Sequence, residues 1–289
     1  YYSVKHLCAD DEATAKKLYT SKYVQSNIGD CFKQIKEHLE ADRWVLFSGT
    51  PCHVSGLKTF LDKEYDKLIN VDFICHGVPS PGVWRRYLDE ITDNPKEIGS
   101  INFRNKKHGW SDFYFSLDYK SGEGSICEAA DRNGYVKGFL QNLFLRPSCH
   151  ACKFKTINRV SDITIADFWG IGHIFPELYD DKGCSLVIVN SIKGAEVFDE
   201  MKNEIIYKSV EISEAVSHNR AMVTSSMPHP KRSEFFERYK NENICYLTNE
   251  MCRVSAVGRM KKIIKKIIIQ LKNCQKNGFR QKGGTINDT

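Results

Sequence analysis

The sequence predicts an α/β fold of the mixed α+β type: an open β-α-β sheet with added antiparallel strands and a C-terminal basic amphipathic helix. Three observations predict it. Apolar runs of strand length at 44–47 and 68–74 are each followed by a helical pattern, and alternating segments flank a glycine-bearing turn at 121–124. Blocks of Ile and Lys then alternate along 260–272. Two strands joined through a helix are expected to pair in parallel.

The composition is that of a soluble globular protein, with 289 residues, 41% apolar and 27% charged. The sequence contains no run of 18 apolar residues and no signal peptide, so we expect a cytoplasmic protein. Membrane contact through its basic segment at 259–272 would make it peripheral at the inner face of the membrane. The chain opens on Tyr1 rather than Met, and we expect an N-terminally truncated protein. Eleven cysteines are too few for a disulfide scaffold, so we expect reduced thiols.

The net charge of +6 comes from the C-terminal tail. Residues 253–289 carry ten Lys or Arg and one Asp, and the rest of the chain is slightly acidic. The body is therefore not expected to bind nucleic acid. Residues 259–272 place isoleucines on one helical face and lysines on the other, which is typical of membrane-surface contact or docking to an acidic partner. The alternative is a terminal helix that packs its isoleucines on the body.

The first third of the chain predicts two helices and then a β-α-β-α unit. Asp10 or Asp11 is expected to cap a helix over 12–19, and Asp30 a second helix. Later segments predict, in order, strands at 101–104 and 112–119, a helix over 134–145, strands at 162–167 and 185–189, helices over 194–201 and 211–219, and a helix from 233.

Two cysteines follow the two predicted parallel strands. Cys52 and Cys75 each lie just past a strand end, and in an open α/β sheet those ends share one edge. Cys149 and Cys152 form a C-x-x-C, which supplies two soft sulfur ligands on one tight loop. We expect the four thiolates to converge and to hold a [4Fe–4S] cluster or Zn. The cysteines are spread over a sheet edge rather than two hairpin knuckles, which favours the cluster. The alternative is that Cys52 and Cys75 are small buried hydrophobic residues without metal.

The turn at Gly49 and Thr50 has two interpretations. Glycine permits close approach of backbone, and the following helix N-terminus favours an anion such as a flavin or nucleotide phosphate. The alternative is an ordinary tight βα turn, because no phosphate-loop or dinucleotide fingerprint is present. Arg104, Lys155 and Arg159 would neutralise a cofactor phosphate, dock an acidic partner or simply be surface charges.

Several motifs in order cover about residues 1–240. They are Ser21-Lys22-Tyr23-Val24-Gln25-Ser26, Gly49-Thr50-Pro51-Cys52, Cys75-His76-Gly77-Val78-Pro79-Ser80-Pro81, Asn102-Phe103-Arg104, Arg146-Pro147-Ser148-Cys149-x-x-Cys152-Lys153-Phe154, Ser161-Asp162-Ile163-Thr164-x-Ala166-Asp167-Phe168-Trp169-Gly170 and Pro228-His229-Pro230-Lys231-Arg232. Together they resemble the coenzyme F420 hydrogenase/dehydrogenase beta subunit family, in the branch found among bacterial polysaccharide-biosynthesis proteins.

The resemblance implies an iron–sulfur flavoprotein oxidoreductase that passes electrons between a hydride carrier (coenzyme F420-like or another), FAD and a [4Fe–4S] cluster. It implies an N-terminal segment at 1–72, a C-terminal domain at 73–245 and a tail at 246–289. No catalytic residue is assigned. The implied cluster ligands are Cys52, Cys75, Cys149 and Cys152, and the implied flavin-pocket residues are Lys22, Gly49, Thr50, Arg104 and Asp167.

The chain departs from the family pattern at its start, since no ferredoxin-like region with closely spaced cysteines precedes the body. We therefore expect a ferredoxin-like domain or another redox partner to complete the electron path. The hydride carrier of this branch need not be coenzyme F420. The alternative function is a non-catalytic binding protein, stabilised by Zn or a cluster and recruited to a surface-polysaccharide assembly complex. Asp167, at a predicted strand end, has two interpretations of its own: an N-cap for the turn at Gly170, which is slightly favoured, or a polar contact to a cofactor.

Overall fold

The structure, a computed structural model, describes residues 4–253 and residue 260. The predicted basic amphipathic helix at 259–272 lies outside these residues except for Met260, so its membrane contact stays a prediction. No helix in the described part is long and apolar enough to cross a membrane. The predicted boundary at residue 72 falls within a strand, and the domain division also stays a prediction.

Strands and helices alternate from β1 to α4, and consecutive strands or consecutive helices then occur in the rest of the described chain. In order they are β1 (Val4–Lys5), α1 (Glu12–Leu18), β2 (Ser26–Asn27), α2 (Cys31–Glu40), β3 (Val45–Gly49), α3 (Pro51–Leu61), β4 (Leu68–Phe73), α4 (Pro81–Ile91), β5 (Ile98–Asn105), β6 (Tyr114–Tyr119), β7 (Ser125–Ala129), α5 (Gly134–Leu140), α6 (Pro147–His150), β8 (Ile163–Asp167), α7 (Ile171–Ile174), β9 (Ser185–Val189), α8 (Ile192–Met201), α9 (Ile212–His218), α10 (Arg232–Arg238) and α11 (Ile244–Met251).

The central sheet has the strand order β3-β4-β8-β9. β3 pairs in parallel with β4, β4 pairs in parallel with β8, and β9 adds an antiparallel edge. The mixed α/β fold is thus confirmed. One face of β3 and β4 packs against α2 and α3, where Phe47, Leu57 and Leu68 are buried together. The carboxyl ends of β3 and β4 lie side by side, since Gly49 is opposite Asp72.

A second, antiparallel sheet has the order β5-β6-β7. Its predicted turn is confirmed: Gly122 and Gly124 both have positive φ, of 75° and 76°, a conformation that glycine adopts without steric cost. The largest buried core of the described residues lies beside this sheet. Aromatic side chains of α4, α5 and the sheet fill it, namely Trp84, Tyr87, Phe103, Phe115, Tyr135 and Phe139.

Two local predictions need correction. The helix expected over 134–145 ends at Leu140, because Asn142 takes a left-handed φ of 63° and Leu145 then forms an antiparallel bridge with Pro79. Asp30 precedes α2 as expected, but its side chain makes no capping bond. Asp11 does cap α1, accepting a 2.8 Å bond from the N–H of Thr14.

Candidate functional site

The four predicted cysteines occupy loop and helix starts around the carboxyl edge of β3 and β4. Cys52 lies in the first turn of α3, Cys75 follows β4 by two residues, Cys149 is in α6, and Cys152 follows it. All four are free thiols. Cys75 interacts electrostatically with Cys52 and Cys149, and Lys155 interacts with Cys75, Cys149 and Cys152. We call these five residues the thiol cluster.

The thiols are neighbours without being assembled at ligand spacing. Within residues 4–253, no group of three or more His, Cys, Asp or Glu side chains is arranged to hold a metal ion. Cys52 is exposed, and the other three are partly buried. A role in metal binding therefore stays a proposal.

Lys155 is the cation of this cluster. Its Nζ donates to the backbone carbonyl of Cys75 and, over 2.6 Å, to that of Ala221. Burial lowers the pKa of Lys155, and the thiols of Cys75 and Cys152 oppose that shift. Burial also raises the pKa of Cys75 to about 12, with Lys155 acting in the opposite direction. The fold thus holds a positive charge where negative sulfur charge would collect.

Gly77 makes room for Cys149. Its φ of 146° lies in the region that side chains rarely adopt, and an added Cβ would lie 2.9 Å from Leu145 Cδ1 and 3.4 Å from Cys149 Cβ. The N–H of Val78 approaches Cys149 Sγ at 3.5 Å. The Cys-His-Gly-Val segment therefore packs its backbone directly against the C-x-x-C.

Residues 221–226 also pack against the thiol cluster and its neighbours. The sequence did not predict this contact. Ser225 Oγ accepts a 3.1 Å bond from the N–H of Cys152, and Ser226 Oγ donates over 2.5 Å to the carbonyl of His76. The Ser226 carbonyl lies 2.7 Å from His150 Nδ1. The proline-bearing motif that follows at 228–232 was the only sequence signal near this segment.

Three histidines next to the cysteines retain polar atoms without a hydrogen bond. Among the described residues, His53 Nδ1, His76 Nε2 and His150 Nε2 are buried without a hydrogen-bond partner. Burial lowers the pKa of His53 to about 4, so this ring is neutral at pH 7. Unsatisfied buried nitrogens are costly and fit a site that is completed by a further group.

A second cluster joins β5 to β8. Arg104 Nη1 donates over 2.6 Å to Asp167 Oδ2, and Trp110 Nε1 donates over 2.9 Å to Asp167 Oδ1. The guanidinium lies 4.6 Å from the Phe113 ring centroid and 5.5 Å from that of Trp169. We call these residues the arginine–aspartate cluster. In the described part, Arg104 Nη2 is buried without a hydrogen-bond partner.

The other residues predicted to line a flavin pocket, Lys22, Gly49 and Thr50, are less favourably placed than Arg104 and Asp167 to contact a flavin. Lys22 Nζ donates to the carbonyls of Leu18 and Thr20, at 3.0 and 3.2 Å, and so serves the end of α1. The space beside Gly49 is filled, because an added Cβ would lie 3.1 Å from both His53 and Phe47. Thr50 is buried, with its hydroxyl 3.0 Å from Cys52 Sγ. The structure therefore places Thr50 beside the thiol cluster.

Arg159 was predicted to neutralise a cofactor phosphate, to dock an acidic partner or to be a surface charge, but in the structure it is a buried member of an ion pair. It forms a 3.5 Å ion pair with Asp72, and both side chains are almost fully buried. Thr164 Oγ1 donates over 2.6 Å to the same carboxylate. Burial raises the pKa of Asp72, and the bonds from Thr164 and Arg159 oppose this shift. This buried pair anchors the loop after the C-x-x-C to β4.

The fold and the site define a mixed α/β protein with a cysteine cluster at the strand ends of its central sheet. The chain belongs to the family described as the C terminus of the coenzyme F420 hydrogenase/dehydrogenase beta subunit, whose sequence profile matches residues 42–215. The resemblance predicted from the motifs is thereby confirmed. By that description, the family is named after a subunit of hydrogenases and dehydrogenases, which are oxidoreductases. The chain is thus a member of a redox family.

The chain is similar to solved structures, among them one that aligns with most of its length. That structure is a chain of the F420-reducing [NiFe] hydrogenase complex from Methanosarcina barkeri, with a TM-score of 0.45 and 12% identity, over 76% of this chain and 73% of that chain. No curated protein matches the sequence.

Proposed function

We propose that this protein is an iron–sulfur electron-transfer subunit in which Cys52, Cys75, Cys149 and Cys152 hold a [4Fe–4S] cluster. The observation that carries the proposal is the gathering of three free thiols, of Cys75, Cys149 and Cys152, around Lys155, with the free thiol of Cys52 near Cys75. Four thiolates are the usual ligand set of such a cluster. Binding requires the sulfurs to lie closer together than they do in this structure.

The surroundings suit a negatively charged group. The buried ammonium of Lys155 offsets thiolate charge, and the N–H of Val78 faces Cys149 Sγ. Hydrogen bonds and cations near the sulfurs raise the reduction potential of a cluster. These residues would therefore tune the potential of a bound cluster as well as retain it.

We further propose that FAD binds beside the arginine–aspartate cluster. When bound, a flavin exchanges a hydride for two single electrons, which links a two-electron carrier to a one-electron cluster. The unpartnered Nη2 of Arg104 supports this proposal, since a buried guanidinium suits a phosphate or a ring carbonyl. Asp167 fixes the orientation of Arg104. The hydride carrier, of the coenzyme F420 type, and a ferredoxin-like partner belong to the same proposal.

The test is anaerobic reconstitution of the full chain with iron, sulfide and FAD. We expect a broad shoulder near ~400 nm that dithionite bleaches, about four iron atoms per chain, and flavin bands. A colourless protein with one Zn per chain would support the alternative, a Zn-stabilised binding protein, and would overturn the redox assignment.

Two variants assign the ligands and the flavin contact. Cys75→Ser should lose most of the iron, whereas Cys127→Ser, an exposed cysteine in β7, should retain it. Arg104→Gln should lose FAD and keep iron. Unchanged iron in Cys75→Ser would show that the ligand set is wrong, and unchanged FAD in Arg104→Gln would place the flavin elsewhere.

A further inference from the structure

A cavity of about 340 Å³ opens beside the thiol cluster, between the start of α4, the turn before α6 and the start of α10. Arg146 and Arg232 line it together with Gln25, Ser80 and Phe236. Apart from Phe236, these residues come from four of the motif stretches in the sequence, and the proposed redox chemistry uses none of them. We propose that this cavity binds the phosphoryl group of a phosphorylated small molecule, through Arg146 and Arg232.

The two guanidinium groups are available to a ligand. Among residues 4–253, neither arginine forms an ion pair, and the cavity is lined by no carboxylate. Arg232 is fixed in place because its Nε and Nη2 donate to the Leu145 carbonyl, at 3.3 and 2.9 Å, and its guanidinium lies 4.7 Å from the Phe236 ring centroid. Arg146 is exposed, and its side chain makes no hydrogen bond in the described part. Paired guanidinium groups match the oxygens of a phosphate better than lysines do.

The neighbouring polar groups also favour an anion. The cavity lies at the N-terminus of α4, an 11-residue helix with Pro81 in its first turn. Ser80 is the N-cap, but its hydroxyl makes no capping bond and stays available as a donor. The positive end of a helix attracts phosphate, and here it adds to the two arginines.

A second cavity, of about 610 Å³, provides a comparison. It is lined by Arg85, Arg86, Asp89 and Lys240, together with Gly82 and Tyr239. Arg86 donates to the carbonyls of Lys240 and Glu242 and pairs with Glu90, so its charge is already used. A carboxylate in the lining further disfavours an anion there. The smaller cavity is thus the better phosphate site.

The position of the cavity suggests how a ligand would sit. The carbonyl of Arg146 accepts a 3.0 Å bond from the N–H of Cys149, and the N–H of Arg146 donates over 2.9 Å to Val78. The phosphate cavity and the thiol cluster therefore share one stretch of backbone. A phosphorylated ligand anchored at Arg146 would extend beside the thiol cluster. The inference does not depend on the proposed redox role, because phosphate binding is measured without iron or flavin.

The test uses inorganic pyrophosphate as the probe and isothermal titration of the full chain at low salt. We expect saturable one-to-one binding that weakens with added salt, and a loss of affinity in Arg146→Gln of about tenfold or more. Arg146→Lys should recover part of the loss. The matched control is Arg85→Gln, an exposed arginine of the other cavity, which should bind as the wild type does.

Three results would overturn the inference. They are the absence of pyrophosphate binding by the wild type, an unchanged affinity in Arg146→Gln, or an equal loss in Arg85→Gln, which would indicate a general surface effect. Circular dichroism of each variant checks the fold. If Arg146→Gln fails to fold, modification of the wild-type protein by phenylglyoxal replaces it. Protection of Arg146 by pyrophosphate would support the inference, and equal modification with and without pyrophosphate would overturn it. Failure of iron reconstitution would leave this binding result unaffected, so the two proposals fail separately.

Discussion

Arg104 of β5 and Asp167 at the carboxyl end of β8 are joined by a 2.6 Å ion pair. The arginine side chain is 9% exposed and the aspartate 31%. This pair is a direct link between the antiparallel sheet and the central sheet. It also holds the one residue for which we propose flavin contact, so its structural effect must be measured apart from its effect on cofactor binding.

We expect Asp167→Asn to lower the free energy of unfolding by about 2 kcal/mol, because a largely buried guanidinium loses a charged acceptor. Urea denaturation monitored by tryptophan fluorescence measures it, since Trp110 bonds to Asp167 and stacks on Trp169. Asp93→Asn is the matched control at an exposed aspartate and should stay within about 0.5 kcal/mol of wild type. Equal stability of the Asp167 variant would contradict this account of the pair.

The Asp72–Arg159 pair predicts a pH-dependent defect. Burial raises the pKa of Asp72 in the folded state, so the folded protein binds this proton more tightly than the unfolded chain does. Arg159→Met should raise that pKa further. The variant should therefore be most stable relative to wild type at low pH, and should lose stability as the pH rises through the folded pKa. At pH 7 the cost should be about 3 kcal/mol.

Urea denaturation of wild type and Arg159→Met at pH 7 and pH 5 measures this difference. The double variant with Asp72→Asn should recover part of the loss and remove its pH dependence, because no buried carboxylate remains to be charged. A penalty of the same size at both pH values would show that lost packing, rather than an unpaired carboxylate, destabilises the variant.

Gly77→Ala tests the close packing behind the C-x-x-C. The added methyl meets Leu145 Cδ1 at 2.9 Å at a positive φ, so we expect a cost of about 2 kcal/mol or more, on the order of the strain at sparsely populated backbone conformations. Gly122 also has a positive φ, but nothing lies within 4 Å of its added Cβ. Gly122→Ala should therefore cost only about 1 kcal/mol. Thermal denaturation compares the two, and equal costs would mean that Leu145 moves aside freely.

Lys155→Gln tests the cation of the thiol cluster and rests on the proposed iron–sulfur role. Loss of a positive charge beside the sulfurs should lower the reduction potential by some tens of millivolts, since about 59 mV corresponds to a tenfold change for one electron. A potentiometric titration of the reconstituted protein measures it. Lys153→Gln, at an exposed lysine two residues away, should leave the potential unchanged. A shift of the same size in both variants would remove any special role for Lys155.

The local patterns predicted most elements well. The helical patterns that follow the strand runs at 44–47 and 68–74 identified α3 and α4, and the β-α-β rule placed Cys52 and Cys75 at one sheet edge. These predictions depend on neighbours in sequence or on a general rule of handedness. The early end of α5 was missed, because the left-handed turn at Asn142 is set by the distant bridge to Pro79.

The contacts of the site that the sequence did not predict all join residues that lie far apart along the chain. Asp72 lies inside an apolar strand and looks like an isolated charge until Arg159, far along the chain, is packed against it. The serines at 225 and 226 carry no motif, yet they bond to the backbone of Cys152 and His76. Pairing of this kind depends on tertiary contacts that periodicity does not encode.

β4 pairs with β8 although about ninety residues separate them, and the antiparallel sheet with its aromatic core is formed within that interval. Cys75 lies at the beginning of the interval and the C-x-x-C near its end. The inserted core therefore forms a closed loop of polypeptide: the two stretches that carry the sulfurs are its ends, and they are joined directly by the bond from the N–H of Arg146 to the carbonyl of Val78 and by the bridge between Pro79 and Leu145.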